Sequence, residues 1–365
     1  MVLKKLLFII TGLNIGGAET QVCNLADKLS SRGYQVKIAY LLQPAIVQPK
    51  SKDIELIWLG GKKTPLSMFK AYINLVKLIR RDKPDVVHSH MFHANIFARL
   101  ARIFTFIPRL VCTAHSSNEG GSLRMLAYRL TNSLGDVFTN VSQEAVEAFE
   151  KKKAAPTGKM IATHNGIDTH KFSFSQAARQ RLRQELNLAR ANVFIAIGRF
   201  HPAKDYPNLF NAFTQVLKQN NNCKLLVVGD GELRPQLEVL LQQFAIQDHV
   251  QLLGVRYDVP ALLSAADVFV LSSAWEGFGL VVAEAMATER IAVATDCGGV
   301  AEVMGDKGFL IEPQNNHALA DAMLKALSMS AEEAQQLVKK GRQRIIEKYS
   351  LDAVVDNWVS IYTAN

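Results

Sequence analysis

At 365 residues, 48% of them hydrophobic and 21% charged, the chain is long for one core and suits two α/β domains. Its four cysteines stand apart in apolar segments without disulfide or metal spacing, and no apolar run is long enough to cross a bilayer, which excludes a disulfide scaffold and a membrane-spanning protein. The net charge of +9 is uneven: residues 1–170 carry 23 Lys+Arg against 12 Asp+Glu, whereas residues 171–365 carry 19 against 21.

The opening Lys4-Lys5-Leu6-Leu7-Phe8-Ile9-Ile10 mimics a signal peptide, but its apolar run is short and leads into a glycine turn. It reads as the first strand, 5–11. Further strands are predicted at 35–41, 53–59, 85–89, 109–114, 137–141 and 159–163. Helices are predicted between them at 18–31, 67–81, 94–104, 122–134 and 144–151. A second series of strands runs 193–198, 224–229, 250–254, 268–272, 291–295 and 308–311. The alternation argues for parallel sheets with helices on both faces. The polar, Arg- and Gln-rich stretch 173–190 separates the two series and marks the expected boundary, giving domains at 1–172 and 190–349. The tail, 330–364, reads as two helices.

The most informative segment is Glu276-Gly277-Phe278-Gly279-Leu280-Val281-Val282-Ala283-Glu284. It joins a predicted strand to a helix opening, where glycines let backbone approach a ligand and free N–H groups face an anion. Glu284 falls in the second helical turn, where an acceptor-only carboxylate suits a sugar diol. Gly198-Arg199…Lys204 follows the first strand of the second series. Two cations at a strand's carboxyl end stand where open α/β sheets bind ligands and can clamp a diphosphate. Gly229-Asp230-Gly231-Glu232 and Gly298-Gly299…Glu302 also follow strands. Each is weak singly, and Asp230 reads first as a helix cap.

In the first half, Gly16-Gly17-Ala18-Glu19 closes a strand and opens a helix. It is not the dinucleotide fingerprint, and a tight turn needing small residues explains it equally well. His88-Ser89-His90 and Thr113-Ala114-His115 end two strands; a histidine there is most often a hydrogen-bonded structural residue. No Asp-x-Asp occurs, so a metal-chelated diphosphate is not expected, and Arg199 with Lys204 is left to supply positive charge.

Taken together these motifs resemble the retaining glycosyltransferases of family GT4, and the match covers essentially the whole chain. The resemblance implies the GT-B fold: two Rossmann-like doubly wound domains facing a central cleft, with a C-terminal helix near 350–365 returning to the first. It implies that Arg199 and Lys204 hold the donor diphosphate, supported by backbone at Gly277, Phe278, Gly279 and Leu280. Glu284 would bind the ribose, and Glu276 the donor sugar. Gly16 and Gly17 would lie beneath the diphosphate, Gly229 and Gly231 in the donor pocket, and His115 beside the reacting sugar. Catalysis falls to His115, Glu276, Arg199 and Lys204. No metal and no cofactor is expected, and the nucleotide-sugar, with UDP the commoner base, is a substrate.

Two cationic segments bear on the acceptor. Lys70, Lys77, Arg80 and Arg81 surround Met68, Phe69 and Ile73; Arg99 and Arg102 surround Phe97, Leu100, Ile103 and Phe104. Each alone reads equally as an ordinary helix packed inward or as one lying on an anionic membrane. The +11 of this half tips the balance to a membrane surface and a lipid-linked glycan acceptor in surface-polysaccharide assembly, with the protein cytoplasmic and peripherally attached to the inner face of the membrane. A nucleotide-sugar 2-epimerase or a non-catalytic nucleotide-sugar binder of the same fold are the alternatives. No nucleic-acid partner is expected, because aromatic residues are not interleaved with the basic ones as stacking platforms.

Overall fold

The computed structural model describes residues 3–117 and 119–364, so residues 1, 2 and 118 of the first expected domain and residue 365 of the expected returning helix lie outside the described residues. The chain divides into two compact units, one of residues 1–166 with 351–365, the other of residues 167–350.

In the first unit seven strands form one parallel sheet: β1 (Lys5–Leu13), β2 (Gln35–Ala45), β3 (Glu55–Gly61), β4 (Val86–His90), β5 (Arg109–Thr113), β6 (Val137–Asn140) and β7 (Met160–Ala162). Their spatial order is β3-β2-β1-β4-β5-β6-β7, so the order reverses between β1 and β4. Helices α1 (Gly17–Ser31), α2 (Pro65–Asp82), α3 (Phe92–Ala101), α4 (Ser122–Thr131) and α5 (Gln143–Lys151) make the crossovers. Side chains of β1 alternate between two apolar layers, as a two-sided parallel sheet requires. Leu6, Phe8 and Ile10 pack with α1, and Leu7 and Ile9 pack with α2 and α3. The terminal helix Leu351–Thr363 joins the first layer through Val354, Val355, Trp358 and Tyr362.

The second unit repeats the plan with β8 (Asn192–Ile197), β9 (Cys223–Val228), β10 (Val250–Gly254), β11 (Val268–Leu271), β12 (Ile291–Thr295) and β13 (Phe309–Ile311). The order is β10-β9-β8-β11-β12-β13, and the reversal lies between β8 and β11. Its helices are α6 (Gln176–Glu185), α7 (Tyr206–Gln219), α8 (Arg234–Gln243), α9 (Val259–Ala265), α10 (Leu280–Ala287), α11 (Val300–Met304), α12 (Asn316–Ser328) and α13 (Ala331–Tyr349).

The boundary falls at 166/167, so residues 167–172, expected in the first domain, belong to the second unit. The polar stretch that reads as a separator is helix α6, a part of that unit. Arg179 donates from Nη1 to the carbonyls of Ser264, Ala265 and Ala266 and from Nη2 to Asp267 at 2.5 Å. Arg183 adds bonds to Ala265 and Ala191. The arginines that make the segment look like solvated linker satisfy the open carbonyl end of α9.

Candidate active site

In both units the motif residues lie at the carboxyl ends of the strands that flank the reversal or stand next to those strands, where ligands of doubly wound sheets sit. In the second unit the turns after β8 and β11 are tied together. Ala274 N–H donates to Ala203 O at 2.8 Å, and Ser272 Oγ donates to Lys204 O at 2.8 Å. These bonds bring Lys204 to Glu276, with Nζ 2.5 Å from Oε1. Ser273 Oγ donates to the same carboxylate oxygen at 2.8 Å. Arg199 is exposed, whereas Lys204 retains only 19% side-chain exposure. The two cations therefore differ: one is a free-standing loop charge, the other half of an ion pair.

Gly279 adopts φ +83° as the N-cap of α10, and no side chain caps that helix. Only a glycine takes this conformation without strain. The helix therefore opens with uncapped N–H groups suited to an anion. Glu284 lies one turn in. It makes no side-chain hydrogen bond among the described residues, and burial pushes its carboxyl up to about 7, opposed by the charge of Lys171.

The remaining glycines already have a structural cause. A Cβ at Gly229 would stand 2.0 Å from Gly198 O, one at Gly231 2.5 Å from Phe200 O, and one at Gly298 2.3 Å from Glu276 O. At Gly229 and Gly231 the turn after β9 packs backbone on backbone against the turn after β8, and at Gly298 the turn after β12 does so against Glu276. Trp275, which the sequence reading did not single out, stands beside them, 55% exposed and edge-on to His201.

In the first unit, Gly16 precedes α1, with the Glu19 carboxylate folded against it; a Cβ there would meet Glu19 Oε2 at 2.4 Å. Gly17 begins the helix. Gly166 is held at both polar groups by the Gln21 side chain, at 2.8 Å each. His115 donates its backbone N–H to Glu119 Oε1 at 2.9 Å, and its Nε2 lies 3.1 Å from His90 Nδ1. Burial brings its pKa down to about 4, so the ring is neutral at physiological pH.

The expected membrane-facing cations divide. Lys70, Lys77, Arg80 and Arg81 are exposed on α2. Arg80 donates to Phe104 O at 2.8 Å and Arg81 pairs with Asp82 at 2.6 Å. Arg99 does not belong with them. It is 2% exposed, donates to Tyr128 O, Thr131 Oγ1 and Asn132 Oδ1, and stacks on the rings of Tyr128 and Phe138. A guanidinium so paired is a core residue; its neighbours in sequence made it look like part of a basic stripe. Arg102 is partly covered and paired with Asp136 at 2.7 Å. Phe69, Ile103, Phe104 and Phe106 remain exposed, and Met68, Phe69, Tyr72, Phe97, Leu100 and Phe104 are among the residues lining an apolar groove of about 430 Å³. Among the described residues no helix is long and apolar enough to cross a membrane.

Two doubly wound units, each with glycine turns and polar residues at its strand ends, define the class: an α/β protein of two Rossmann-like units. Residues 15–171 match the family model Glycosyltransferase Family 4, and residues 178–344 match Glycosyl transferases group 1. A UDP-Gal:alpha-D-GlcNAc-diphosphoundecaprenol alpha-1,3-galactosyltransferase of Escherichia coli is 28% identical over 308 residues, 80% of this chain and 79% of that protein. The N-acetyl-alpha-D-glucosaminyl L-malate synthase of Bacillus anthracis is 26% identical over 366 residues, 96% and 94% of the two chains. The structure of Anabaena Alr3699/HepE in complex with UDP superposes with a TM-score of 0.83 at 20% identity, covering 99% of this chain and 100% of that one. The chain belongs to the GT4-type glycosyltransferases and has the GT-B fold.

Proposed function

We propose that the protein is a retaining, metal-independent transferase that moves a hexosyl or N-acetylhexosaminyl group from a UDP-sugar to a hydroxyl of a lipid-linked glycan, at the cytoplasmic face of the membrane. The observation that carries the donor reading is the second unit's constellation: exposed Arg199, the Lys204–Glu276 pair, the uncapped start of α10 and the Glu284 carboxyl, which makes no side-chain hydrogen bond among the described residues. Arg199, Lys204 and the amides at Gly277–Leu280 stabilise the charge that grows on the diphosphate as the C1–O bond breaks. The departing phosphate oxygen takes the acceptor's proton as the acceptor oxygen bonds C1 on the same face, which gives retention without a covalent sugar–enzyme intermediate. Glu276 orients the sugar, Glu284 accepts the ribose hydroxyls, and His115 is the first unit's contribution to the sugar.

The lipid-linked acceptor and the peripheral attachment rest on the first unit's +11 charge and on the apolar groove beside the exposed cations of α2. The diphosphoundecaprenol in the Escherichia coli relative's name agrees with this; the malate acceptor of the Bacillus anthracis relative marks the soluble alternative. Thermal shift against a panel of UDP- and GDP-sugars, followed by transfer to undecaprenyl-diphosphate-linked GlcNAc and to a soluble GlcNAc glycoside, tests the reading. A UDP-sugar is expected to stabilise the protein and to be consumed with the lipid-linked acceptor. Stabilisation by no nucleotide-sugar would reject the donor assignment, and exclusive use of the soluble glycoside would reject the acceptor.

A further inference from the structure

His88 and His90 at the end of β4 and His115, two residues past the end of β5, form one contact series. The rings of His88 and His90 have centroids 4.0 Å apart, and those of His90 and His115 5.3 Å. His88 is fully engaged, with Nδ1 2.7 Å from Tyr362 Oη and Nε2 2.7 Å from Thr113 Oγ1. His90 Nδ1 lies 3.1 Å from His115 Nε2. The charged and titratable groups facing this series are Glu119, which accepts from the His115 backbone and from Tyr128 Oη, Arg124 and Arg99 near that carboxylate, His164 on the wall of the adjoining cavity, and Tyr362.

A hydrogen bond between two imidazoles needs one protonated nitrogen and one bare nitrogen. A neutral ring carries a single N–H. If His90 donates from Nδ1, then His115 Nε2 is bare and its proton is on Nδ1. If His115 donates from Nε2, then His90 Nδ1 is bare and its proton is on Nε2. The two rings are therefore locked to the same tautomer, and His115 Nδ1 is left as the ring atom for a ligand. At the other end, His90 Nε2 is buried with no partner. His90 and Thr163 are each 2% exposed, Thr163 Oγ1 is also without a partner, and both residues line a cavity of about 20 Å³. That is room for one water, which both donates and accepts and so completes His90 in either tautomer.

We propose that His90 is a positioning residue for the transfer reaction: a buried water–His90–His115 series that holds His115 as a neutral ring whose tautomer is locked to that of His90. The proposal rests on His115 contributing to the sugar, and its first test does not depend on that. Long-range ¹H–¹⁵N spectra of the labelled full-length protein at pH 7.5, assigned by single substitutions, are expected to show His90 and His115 neutral and of the same tautomer. Opposite tautomers, or a charged ring in either residue, would overturn the proposal even in a protein with no transferase activity. In His90→Phe, which removes the partner of Nε2, the His115 ring signals are expected to shift to a different balance of tautomers. The kcat for UDP release from UDP-glucose or UDP-galactose should fall roughly tenfold to a hundredfold, as loss of orientation does, with the donor KM changing less than about twofold. His90→Asn, which keeps a polar atom toward His115, should recover part of the rate. A folded His90→Phe with unchanged His115 signals and unchanged kcat would equally overturn the proposal.

Discussion

The two units share one strand order over six strands, the first adding β7 at its edge, and place different chemistry at the same topological point. In the second, the reversal between β8 and β11 carries glycine turns, exposed Arg199 and the Lys204–Glu276 pair. In the first, the reversal between β1 and β4 adjoins a glycine turn on one side and buried neutral histidines on the other. A preformed cationic turn and an uncapped helix suit an anion. A neutral imidazole suits a hydroxyl-bearing group whose hydrogen bonds must be oriented rather than neutralised. The shared fold thus sets which strand ends are open to a ligand in each unit, and the residues there set the chemistry each can offer.

The largest expected effect lies in the second unit. Arg199→Ala and Lys204→Ala should each lower kcat about a hundredfold or more, roughly 3 kcal/mol of lost charge stabilisation. Their stabilities should differ. Arg199→Ala should melt like the parent, whereas Lys204→Ala leaves the Glu276 carboxylate without its cation and should melt a few degrees lower. Near-normal turnover in both would break the contrast by removing the anion site from this unit.

Next comes the distinction within the first unit's cations. Arg99→Leu removes a buried guanidinium from three hydrogen-bond acceptors and should cost about 2–3 kcal/mol, read by denaturant unfolding. Lys70→Glu with Lys77→Glu should change stability by less than about 0.5 kcal/mol. The double variant should instead sediment less with anionic liposomes at low salt, since each cation at such a surface contributes on the order of 1 kcal/mol. Unimpaired sedimentation of the double variant would separate the basic face from the membrane.

The titrating groups sharpen the comparison because they run in opposite directions. His88, His90 and His115 have folded pKa values below the ordinary 6.5 through burial, His115 to about 4. Their contribution is present above 6.5 and is lost as pH falls toward 4. Glu284 is raised from 4.5 to about 7. Its contribution is present below 4.5 and is lost as pH rises to 7. Hydrogen exchange corrected for intrinsic rates should therefore show β4 and β5 loosening below pH 6.5, and α10 loosening between pH 4.5 and 7. With Glu284 in its proposed role as an ionised acceptor for the ribose, UDP binding should strengthen as pH rises through 7, and Glu284→Gln should both weaken and flatten that dependence. Calorimetric titration checks it. The smallest expected effect is that of chelation: transfer in excess EDTA should equal transfer without it, and loss restored by magnesium or manganese would show that cationic side chains alone do not serve the diphosphate.

The alternation of apolar strands and amphipathic helices was legible throughout. Each of the thirteen strands among the described residues overlaps a predicted one, and the central strands β1, β4, β8, β11 and β12 were the plainest, because a buried parallel strand must be apolar on both faces. The helix from Leu280 to Ala287 and the turn before it were legible from Gly279, since a left-handed N-cap has few residues to choose from. Arg99 was not legible. A sequence shows that a cation stands among apolar residues, and only the fold shows that three oxygens wait for it inside the core. Helix α6 was misread for the same reason: its arginines answer carbonyls some 80 positions away. The pairing of Lys204 with Glu276, 72 residues apart, and the junction of His90 with His115 also needed the sheet to bring strand ends together. Local composition fixes period, turn chemistry and the identity of the groups, because these depend on neighbours within a few residues. Which charge is free, which is paired and which histidine holds another depends on contacts across the sheet, and only the tertiary structure decides them.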